Sequence, residues 1–567
     1  MKRRTFLKNS ALTGISALLL PYTGFPAFPG QGELLYNGIR LPEVWPPRNM
    51  NRDSCEPMPV PYLEQPPRII PIDVGRQLFV DDFLIEGTNL KRIFHKAKKY
   101  SGNPVMKPET QLEKGNGNQP LACPKDGGVW WDSADKIFKM WYEAGWIGAM
   151  AYATSKDGIN WERPDLGIRP GTNQILPEFR PDSTTVFIDH NTKNPGERFK
   201  MFIRKPDFLG EHYGTSMVSG DGIHWDHPVR TGSCGDRSTM FYNPFRNKWI
   251  YSIRSSAKNG RSRHYREHSD FLKGAAWENG DIVYWTGADK LDPPDPAIGV
   301  KAQLYNLSAV AYESLMIGLH EIHLGPSNEI CQKLGVPKTT ELMLGFSRDG
   351  FHWHRPDREA FIPATRQEGS WERGYLQPAG GICTVVGDQL WFYYIGFKGD
   401  QSNHHSDGMK SGMYANGSTG IAVLRRDGFA SMSAGTDQGE LTTRPVTFQG
   451  KYLFVNINCP GGKLRVEILD ENNAVIAPFD AENCTESSVD STIHRIKWKG
   501  KKDLTGLAGK KVRFRFYLTD GDLFSFWVSP DKSGASYGYN AAGGPGFNGS
   551  KDEQGRIAYK KSNKLLL

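Results

Sequence analysis

The feature that most constrains this chain is a tight turn that leads into a tryptophan and recurs at a fixed spacing. The pattern Ser-x-Asp-Gly-x-x-Trp occurs three times, with its aspartates at Asp157, Asp221 and Asp349. The first two aspartates are 64 positions apart and the last two are 128 apart, twice as many. A degenerate copy of the pattern occurs at Arg426-Asp-Gly-Phe429. Asp-Gly favours the positive φ angles of a hairpin turn, so a fixed period of strands predicts stacked or radial sheets.

Five units with the same order of strands surround these turns. Each has an apolar strand, a polar turn and an aromatic strand, and the Asp-Gly hairpin adds two more strands. The units begin near Gly128, Thr185, Thr239, Ser308 and Gly381. Five units of four strands predict an all-β fold with a five-bladed β-propeller, because radial repetition leaves only short sheet edges. Strands within residues 76–96 are expected to complete the last blade and close the ring.

The segments outside the repeat differ in composition and suggest five regions. Residues 1–30 predict a twin-arginine signal peptide, 31–75 a Pro-rich linker, 76–440 the propeller, 441–530 a β-sandwich and 531–567 a Gly-rich irregular tail. The sandwich is predicted because residues 441–530 hold runs of alternating apolar and polar residues, typical of half-buried antiparallel strands.

The N-terminal region carries the signal for export. It reads Arg3-Arg4-Thr-Phe6-Leu7-Lys8 and continues into a short apolar run. This resembles twin-arginine signals and predicts a periplasmic or secreted protein, with no membrane-spanning segment once the signal is removed.

Charge and cysteine content exclude several classes. The formal net charge of +8 is small for 567 residues, and the basic residues are scattered, so no nucleic-acid partner is predicted. Seven cysteines without a Cys-x-x-Cys pair predict no zinc or redox site, and we expect no metal or cofactor. Cys459 and Cys484 either pair or stay reduced. His404, His405 and Asp407 either ligate a metal or lie in an ordinary polar loop.

The candidate site follows from the blade register. The innermost strand of each blade begins at one mouth of the central funnel, so side chains just before these strands should converge there. This reasoning selects Asn118, Gln119, Asp182, Asp236, Arg237, Asn306, Glu372 and Gln377. Cleaving a glycosidic bond needs one carboxylic acid and one carboxylate. We therefore predict Asp182, Asp236 and Glu372 as catalytic residues, with Arg237 and the amides binding sugar hydroxyls.

Several nearby residues have two readings. Trp371 and Tyr375 either stack on a sugar or pack in the core. Either Asp81 or Asp82 could reach the funnel. The acids and amides at the first hairpin turn of each unit are predicted to be turn formers, namely Asp132, Asp189, Asn243, Glu313 and Asp388. A basic cluster either lies on a solvated loop or binds a carboxylate or phosphate, and it comprises Arg261, Arg263, His264 and Arg266.

Over residues 76–530 the chain resembles the five-bladed propeller glycosidases, which include glycoside hydrolase families 32, 43, 68 and 130. Family 32 has the same order of propeller and sandwich, and carries the motifs Asn-Asp-Pro, Arg-Asp-Pro and Glu-Cys in its first three blades. Asp182 in Arg180-Pro-Asp182 and Asp236 in Gly235-Asp236-Arg237 are similar to the second motif. The Asp-Gly turn is similar to the structural Asp-box of sialidases.

The resemblance implies an exported glycoside hydrolase that acts on a carbohydrate. Two alternatives remain open. The first is a non-catalytic carbohydrate-binding propeller. The second is a phosphate-dependent glycoside phosphorylase, which would need the basic cluster.

Overall fold

The computed structural model describes residues 32–115, 119–206, 210, 212–334, 336–399 and 413–561. The protein is all-β, as predicted, and the predicted signal peptide lies outside the described residues. The short α-helices are α1 Pro61–Glu64, α2 Phe271–Ala275, α3 Asn328–Leu334 and α4 Arg556–Lys561. Among the described residues, no helix combines the length and apolar composition that crossing a bilayer requires.

Five short strands come first in the chain: β1 Ile70–Pro71, β2 Gln77–Leu78, β3 Ile85–Thr88, β4 Lys91–Phe94 and β5 Lys98–Lys99. Two sheets follow. The first sheet contains β6 Ala122–Cys123, β7 Val129–Asp132, β8 Ile137–Ala144, β9 Ala149–Ser155 and β10 Gln174–Ile175. The second sheet contains β11 Ser183–Ile188, β12 Phe199–Arg204, β13 Tyr213–Ser219 and β14 Asp226–Ser233.

Three further sheets continue the repeat. The third sheet contains β15 Thr239–Asn243, β16 Lys248–Ala257, β17 Gly260–His268 and β18 Val283–Gly287. The fourth is built on β19 Gln303–Glu313, β20 Leu315–Gly325 and β21 Thr339–Ser347. The fifth is built on β22 Gly374–Val386, β23 Gln389–Phe397 and β24 Gly417–Arg425, and β5 completes it by pairing with β24.

The first long strands of the five sheets contact one another in a closed order. β7 contacts β11, β11 contacts β15, β15 contacts β19, β19 contacts β22, and β22 returns to β7. Within each sheet the neighbouring strands are antiparallel. The starts of five strands from distant parts of the sequence are therefore brought close together.

The Asp-Gly turns are structural, as predicted. In the copy at Asp221, one carboxylate oxygen accepts the backbone N–H groups of Ile223 at 2.8 Å and His224 at 2.9 Å. Gly222 has a φ of +81°, which favours glycine. Its carbonyl accepts the indole N–H of Trp141, in the first sheet, at 2.7 Å. Each turn thus closes a hairpin and also fastens its sheet to the preceding one.

The other two copies make the same kind of contact. The Gly158 carbonyl accepts the hydroxyl of Tyr393, in the fifth sheet, at 2.8 Å. The Phe351 carbonyl accepts the indole N–H of Trp285, in the third sheet, at 2.8 Å. The contact between Gly158 and Tyr393 joins the first sheet to the fifth, so the repeat fixes which sheets are neighbours.

Two more sheets follow the repeat. Their strands from this part of the chain are β25 Ala430–Ala434, β26 Gly439–Thr443, β28 Tyr452–Asn458, β29 Lys463–Leu469, β30 Asp490–Arg495, β31 Arg513–Thr519 and β32 Gly521–Ser529. The short strand β27 Val446–Thr447 belongs to a separate two-stranded sheet. One sheet has the order β30-β28-β32-β25-β4, with β2 also on β32, and the other has the order β29-β31-β26-β3. Both contribute to one hydrophobic core, which includes Phe79, Val455 and Phe516.

This pairing corrects the prediction for residues 76–96. β2, β3 and β4 join the late sheets, and the strand that completes the fifth sheet is β5, at Lys98–Lys99. The late sheets also begin at Ala430 rather than after residue 440. Local alternation predicts a strand but not its partner, since pairing is decided by the face that each strand buries.

A cluster of charged side chains, the interface cluster, joins segments at the ends of the repeat. It comprises Arg76, Glu313, Arg426, Asp427 and Asp552. Arg76 donates to Asp427 at 3.0 Å, and Arg426 donates to Glu313 at 3.0 Å and to Asp552 at 2.8 Å. All five side chains are fully buried. The cluster therefore holds together the start of β2, the end of β19, the end of β24 and the C-terminal segment.

The chain termini and the cysteines complete the fold. In the predicted Pro-rich linker, β1 pairs with β27. In the predicted irregular tail, β33 Tyr539–Asn540 pairs with β19. Cys459 and Cys484 are both free. The Cys459 thiol donates to the Ser487 carbonyl at 3.4 Å, and Cys484 Sγ accepts the Val466 N–H at 3.3 Å.

Candidate functional site

Two partly exposed aspartates lie where the second and third sheets begin. Asp182 immediately precedes β11, and Asp236 precedes β15 by three positions. The Asp182 side chain is 17% exposed and the Asp236 side chain is 24% exposed. Their charges interact strongly enough that Asp236 helps to raise the pKa of Asp182. The structure therefore brings together these two residues selected from the sequence.

Asp182 is positioned by the register of its own sheet. Ser183 pairs with Arg204 across β11 and β12, so the Asp182 N–H donates to the Arg204 carbonyl at 2.8 Å. The Arg204 guanidinium donates to the Asp182 carboxylate at 3.0 Å. Burial raises the pKa of Asp182, Lys125 opposes that shift, and the charge of Asp236 adds to it. A carboxyl group in this environment tends to keep its proton.

Asp236 also pairs with an arginine, but its other contact is a tyrosine hydroxyl. One of its carboxylate oxygens forms an ion pair with Arg254, and the other accepts the Tyr305 hydroxyl at 3.2 Å. The Asp236 side chain is partly exposed, so solvent or a ligand can reach it. An open cleft of about 380 Å³ is lined by the neighbouring Gly235 and by Arg254, but Asp236 itself is not part of its lining.

Arg237 lies behind the two aspartates and is itself buried. Its guanidinium forms ion pairs with Asp126 at 3.0 Å and with Glu321 at 3.1 Å. The sequence predicted that Arg237 binds sugar hydroxyls, but two carboxylates occupy its guanidinium. Burial, with the charge of Asp126, raises the pKa of Glu321 to about 7, although Arg237 opposes the shift.

The predicted amides are buried at the same place. Asn306 pairs with Glu321 across β19 and β20, and its amide donates to Asp126 at 2.9 Å. Gln119 and Gln377 are fully buried, and neither amide has a hydrogen-bond partner within the described ranges. Buried amides are nearly always satisfied, so these two are candidates for contact with a ligand. Asn118 lies outside the described residues.

Glu372 and Trp371 lie elsewhere in the fifth sheet. The Glu372 carboxylate accepts the Tyr394 hydroxyl at 2.8 Å and forms an ion pair with Lys99 at 2.8 Å. Trp371 packs against Tyr394 with ring centroids 5.6 Å apart. These partners belong to β23 and β5, so the described contacts of Glu372 do not join it to Asp182 and Asp236. Its predicted catalytic role stays a prediction.

An aromatic wall with two lysines connects the two aspartates. Tyr305, which donates to Asp236, lies 3.3 Å from the Tyr375 hydroxyl, oxygen to oxygen. Lys338 donates to the Tyr414 hydroxyl at 3.1 Å, and Tyr414 stacks on Trp146 at 3.8 Å. On the other face of this wall, Lys125 Nζ lies 4.4 Å from the Trp146 ring centroid and 3.4 Å from the Asp182 carbonyl. Tyr375 is thus part of this aromatic wall, and its predicted contact with a sugar stays a prediction.

Backbone conformation also sets this region apart. Lys125, Arg237 and Tyr375 have φ angles of 43°, 59° and 54°. Non-glycine residues rarely adopt the left-handed region, and such residues often cluster where function requires a particular side-chain direction. All three belong to the aromatic wall or the ion pairs behind it.

Several residues of the site were missed by sequence reasoning. They are Lys125, Asp126, Glu143, Tyr305, Glu321 and Lys338. Lys125 and Asp126 stand in Pro124-Lys-Asp-Gly127, which reads as an ordinary turn. Glu321 was detectable, because it is a charged residue within the apolar strand β20.

The predicted basic cluster is divided between the two faces of β17. Arg263 points inward, where it is fully buried and donates to the Arg237 carbonyl at 2.6 Å. Arg261 lies on the same face, 5.1 Å from the ring centroid of Tyr305. Arg266 pairs with Asp281 and His264 with Ser255 on the other side. Strand alternation therefore brings only Arg261 and Arg263 to the site.

The remaining candidates do not belong to this site. Asp81 is buried in an ion pair with Arg348 at 2.8 Å, and Asp82 pairs with Arg92. The acids at the first hairpin turns act as predicted at Asp132 and Asp189, whose carboxylates accept nearby backbone N–H groups. Within the described ranges, no three His, Cys, Asp or Glu side chains could hold a metal. His404, His405 and Asp407 lie outside those ranges.

Comparison with known proteins gives distant likenesses only. No protein-family model matches the chain, and no curated protein does. An N-acetylgalactosamine deacetylase from F. plautii in complex with blood group B trisaccharide is 15% identical (59% of this chain, 96% of that one; TM-score 0.41). A thermostable family-43 glycoside hydrolase is 12% identical, and the match covers 55% of this chain and 95% of that one with a TM-score of 0.35. An exo-β-1,3-galactanase from Phanerochaete chrysosporium with β-1,3-galactotriose is 10% identical, and the match covers 77% of this chain and 99% of that one with a TM-score of 0.32. Glycoside hydrolases are thus among the solved structures to which this chain is similar, at low identity.

Proposed function

We propose that the protein is an exported glycoside hydrolase whose site lies between Asp182 and Asp236. The observation that carries the proposal is the contrast between these two carboxyl groups. Burial raises the pKa of Asp182, whereas the Asp236 carboxylate forms an ion pair with Arg254 and accepts the Tyr305 hydroxyl. Two neighbouring carboxyl groups whose environments differ in this way suit one acid and one base.

The proposed reaction uses the two groups in turn. Asp182 donates its proton to the glycosidic oxygen as the bond to the anomeric carbon breaks. Asp236 either removes a proton from the attacking water or attacks the anomeric carbon itself, depending on the distance between the two carboxyl groups. Both carboxyl groups are partly exposed, so a substrate can reach them, and Arg237 pairs with the buried carboxylates Asp126 and Glu321.

The proposal includes the architecture that brings the two residues together. We infer that the five sheets are the blades of a five-bladed β-propeller, closed by β5, and that the last two sheets form a β-sandwich with β2, β3 and β4. The closed order of contacts among β7, β11, β15, β19 and β22 supports the first inference. The shared hydrophobic core supports the second.

Turnover by matched variants tests the function. The assay is release of sugar from plant and algal glycans and from aryl furanosides and pyranosides. Asp236→Asn should lower kcat/KM at least about 100-fold, because it removes the proposed base or nucleophile. Asp189→Asn is the control, since Asp189 is also an aspartate at the end of an inner strand, β11, but lies at a turn. Undiminished turnover in Asp236→Asn would contradict the proposal.

The role of Asp182 has its own test. Without its acid, the enzyme should still cleave substrates whose leaving group needs no proton. Asp182→Asn should therefore lose far more activity on alkyl glycosides than on dinitrophenyl glycosides. An equal loss on both would contradict the acid role. Glycan binding without turnover by the wild type would instead favour a binding propeller, and turnover that requires phosphate would favour a phosphorylase.

Export is proposed from the Arg3-Arg4 signature. Replacing both arginines by lysine should keep the full-length precursor in the cytoplasm, because the twin-arginine pathway reads this pair. Cell fractionation with an antibody to the mature chain measures the result. Lys2→Arg is the matched control, and continued export of the double variant would contradict the proposal.

A further inference from the structure

The charges around the proposed site are unevenly balanced. The central cluster contains the carboxyl groups Asp126, Glu143, Asp182, Asp236 and Glu321 and the cations Lys125, Arg204, Arg237, Arg254, Arg261, Arg263 and Lys338. Every one of these carboxyl groups already has a cationic partner: Arg237 for Asp126 and Glu321, Lys125 for Glu143, Arg204 for Asp182, and Arg254 for Asp236.

Three of the cations lack such a partner. Among the described residues, no carboxylate lies within 4.0 Å of the charged groups of Arg261, Arg263 or Lys338. Burial lowers the pKa of Arg263 to about 9, which still leaves it charged at neutral pH. Unpaired charge inside a protein is costly, so an anion that enters here would be bound favourably.

Lys338 and Arg261 are the two cations that face the aromatic wall. The Lys338 ammonium lies 5.6 Å from the centroid of Tyr305, and the Arg261 guanidinium lies 5.1 Å from it. Lys338 is only 1% exposed, and the charge of Arg261 acts against its own. The Nε atom of Arg261 is buried without a hydrogen-bond partner in the part of the chain that the structure describes. Lys338 and Arg261 could each donate a charge-assisted hydrogen bond to an anion placed between them.

Tyr305 connects this pair of cations to the reaction. Its hydroxyl donates to Asp236, and its ring lies beneath both Lys338 and Arg261. An anion bound by the two cations would therefore lie about one aromatic ring away from the proposed base. That separation fits a charged substituent on the sugar residue that is being cleaved, or on its immediate neighbour.

We propose that the glycan cleaved at this site carries a negative charge, as a uronic acid carboxylate or a sulfate ester, and that Lys338 and Arg261 bind it. The inference rests on the proposed function, since it specifies the substrate class of that site. We favour an anionic group on the sugar over free phosphate because Lys338 and Arg261 lie beside the proposed base and behind a wall of tyrosines.

Paired ligands test the inference without requiring turnover. Binding to the full chain is measured by calorimetry for glucuronate against glucose, galacturonate against galactose, and galactose 6-sulfate against galactose. At least one charged sugar should bind about tenfold or more tightly than its neutral partner. The carboxylate and sulfate pairs distinguish the two sources of charge. Equal binding within every pair, or no binding of any charged sugar, overturns the inference.

Variants assign the preference to the two cations. Lys338→Met and Arg261→Gln should each remove most of the preference, whereas Lys338→Arg should retain it. Lys551→Met is the matched control, because Lys551 also lies over a tyrosine, 5.0 Å from the ring centroid of Tyr539, but in the C-terminal segment. If Lys338→Met does not fold, Lys338→Arg and Arg261→Gln still decide the matter. The inference is overturned if Arg261→Gln, and Lys338→Met where it folds, still bind the charged sugar of a pair more tightly than the neutral one.

Two further results would separate this inference from the proposed function. Cleavage of a neutral glycan that depends on Asp236 would support the hydrolase and overturn the anionic substrate. Cleavage that requires inorganic phosphate, with phosphate competing for Lys338 and Arg261, would also overturn it, because the anion would then be a co-substrate.

Discussion

The molecule holds two buried groups of charged side chains, the central cluster and the interface cluster, and their charges are balanced differently. The interface cluster sets two arginines against three carboxylates, and hydroxyls of Tyr312, Ser525 and Ser536 complete those carboxylates. The central cluster sets seven cations against five carboxyl groups, and it leaves Gln119 and Gln377 without partners among the described residues.

This difference teaches which kind of buried charge suggests function. The interface cluster joins four segments of the chain, and all its members are fully buried. It can therefore stabilise the fold, but nothing can reach it. The central cluster has two partly exposed aspartates and unused hydrogen-bonding groups. Buried charge alone does not identify a site, whereas buried charge next to partly exposed carboxyl groups and unpartnered amides suggests one.

The largest expected effect comes from breaking the interface cluster. Arg76→Met leaves Glu313 and Asp427 buried with half of their counter-charge, so the free energy of unfolding should fall by about 3–5 kcal/mol. Equilibrium denaturation in urea measures this. Arg254→Met is the matched change in the central cluster, and it should cost less than about 1 kcal/mol because its ion pair with Asp236 is partly exposed. Equal losses would contradict the comparison.

The next effect concerns pH. Burial raises the pKa of Glu321 from 4.5 to about 7. The folded protein therefore keeps a proton that the unfolded chain releases, and stability falls as the pH rises from about 4.5 to about 7. Glu321→Gln has no such proton, so relative to the wild type it should gain about 3 kcal/mol across this window. Stability measured by denaturation at several pH values tests this, and parallel curves for the two proteins would contradict it.

A smaller effect is expected at the uncharged contacts between sheets. In Gly222→Ala, the new Cβ would come within 2.7 Å of the Trp141 ring, and φ is +81°. The variant should lose about 1–3 kcal/mol of stability. Gly167→Ala controls for the backbone, since Gly167 has a φ of +71° but nothing within 4 Å of its Cβ position. A loss no larger than in the control would mean that the turn does not fasten the sheets.

The smallest effect is expected at Glu372, whose ion pair with Lys99 belongs to neither cluster. Glu372→Gln keeps an acceptor for the Tyr394 hydroxyl, so stability should change by no more than about 1 kcal/mol. Turnover should stay within about threefold of the wild type, a difference of less than 1 kcal/mol in the barrier. A fall of about 100-fold would restore Glu372 to the catalytic role that the sequence predicted.

The sequence predicts the all-β class and the Asp-Gly turns because both depend on local patterns. The turn at Asp221 needs only its own serine, aspartate and glycine, and these occur within seven residues. The partner of a strand is not local. β3 and β4 pair with strands more than 300 positions later, and nothing within residues 76–96 specifies this.

Only part of the candidate site could be predicted from the sequence. Asp182 and Asp236 were found because both stand just before an inner strand. Glu321 and Lys338 enter the site from strand β20 and from the segment before β21, positions that the register rule does not consider. Arg237 was found, but its partners Asp126 and Glu321 could not be inferred, because an ion pair is decided by side-chain direction in three dimensions.

The central claim is that the central cluster performs the reaction while the interface cluster only supports the fold. The most direct test compares Asp182→Asn with Asp427→Asn, the same change at one aspartate of each cluster, by kcat/KM on a cleaved alkyl glycoside per folded molecule. The account predicts that Asp182→Asn loses about 100-fold or more while remaining as stable as the wild type. It predicts that Asp427→Asn is destabilised but retains turnover in its folded fraction. The reverse pattern would contradict the account.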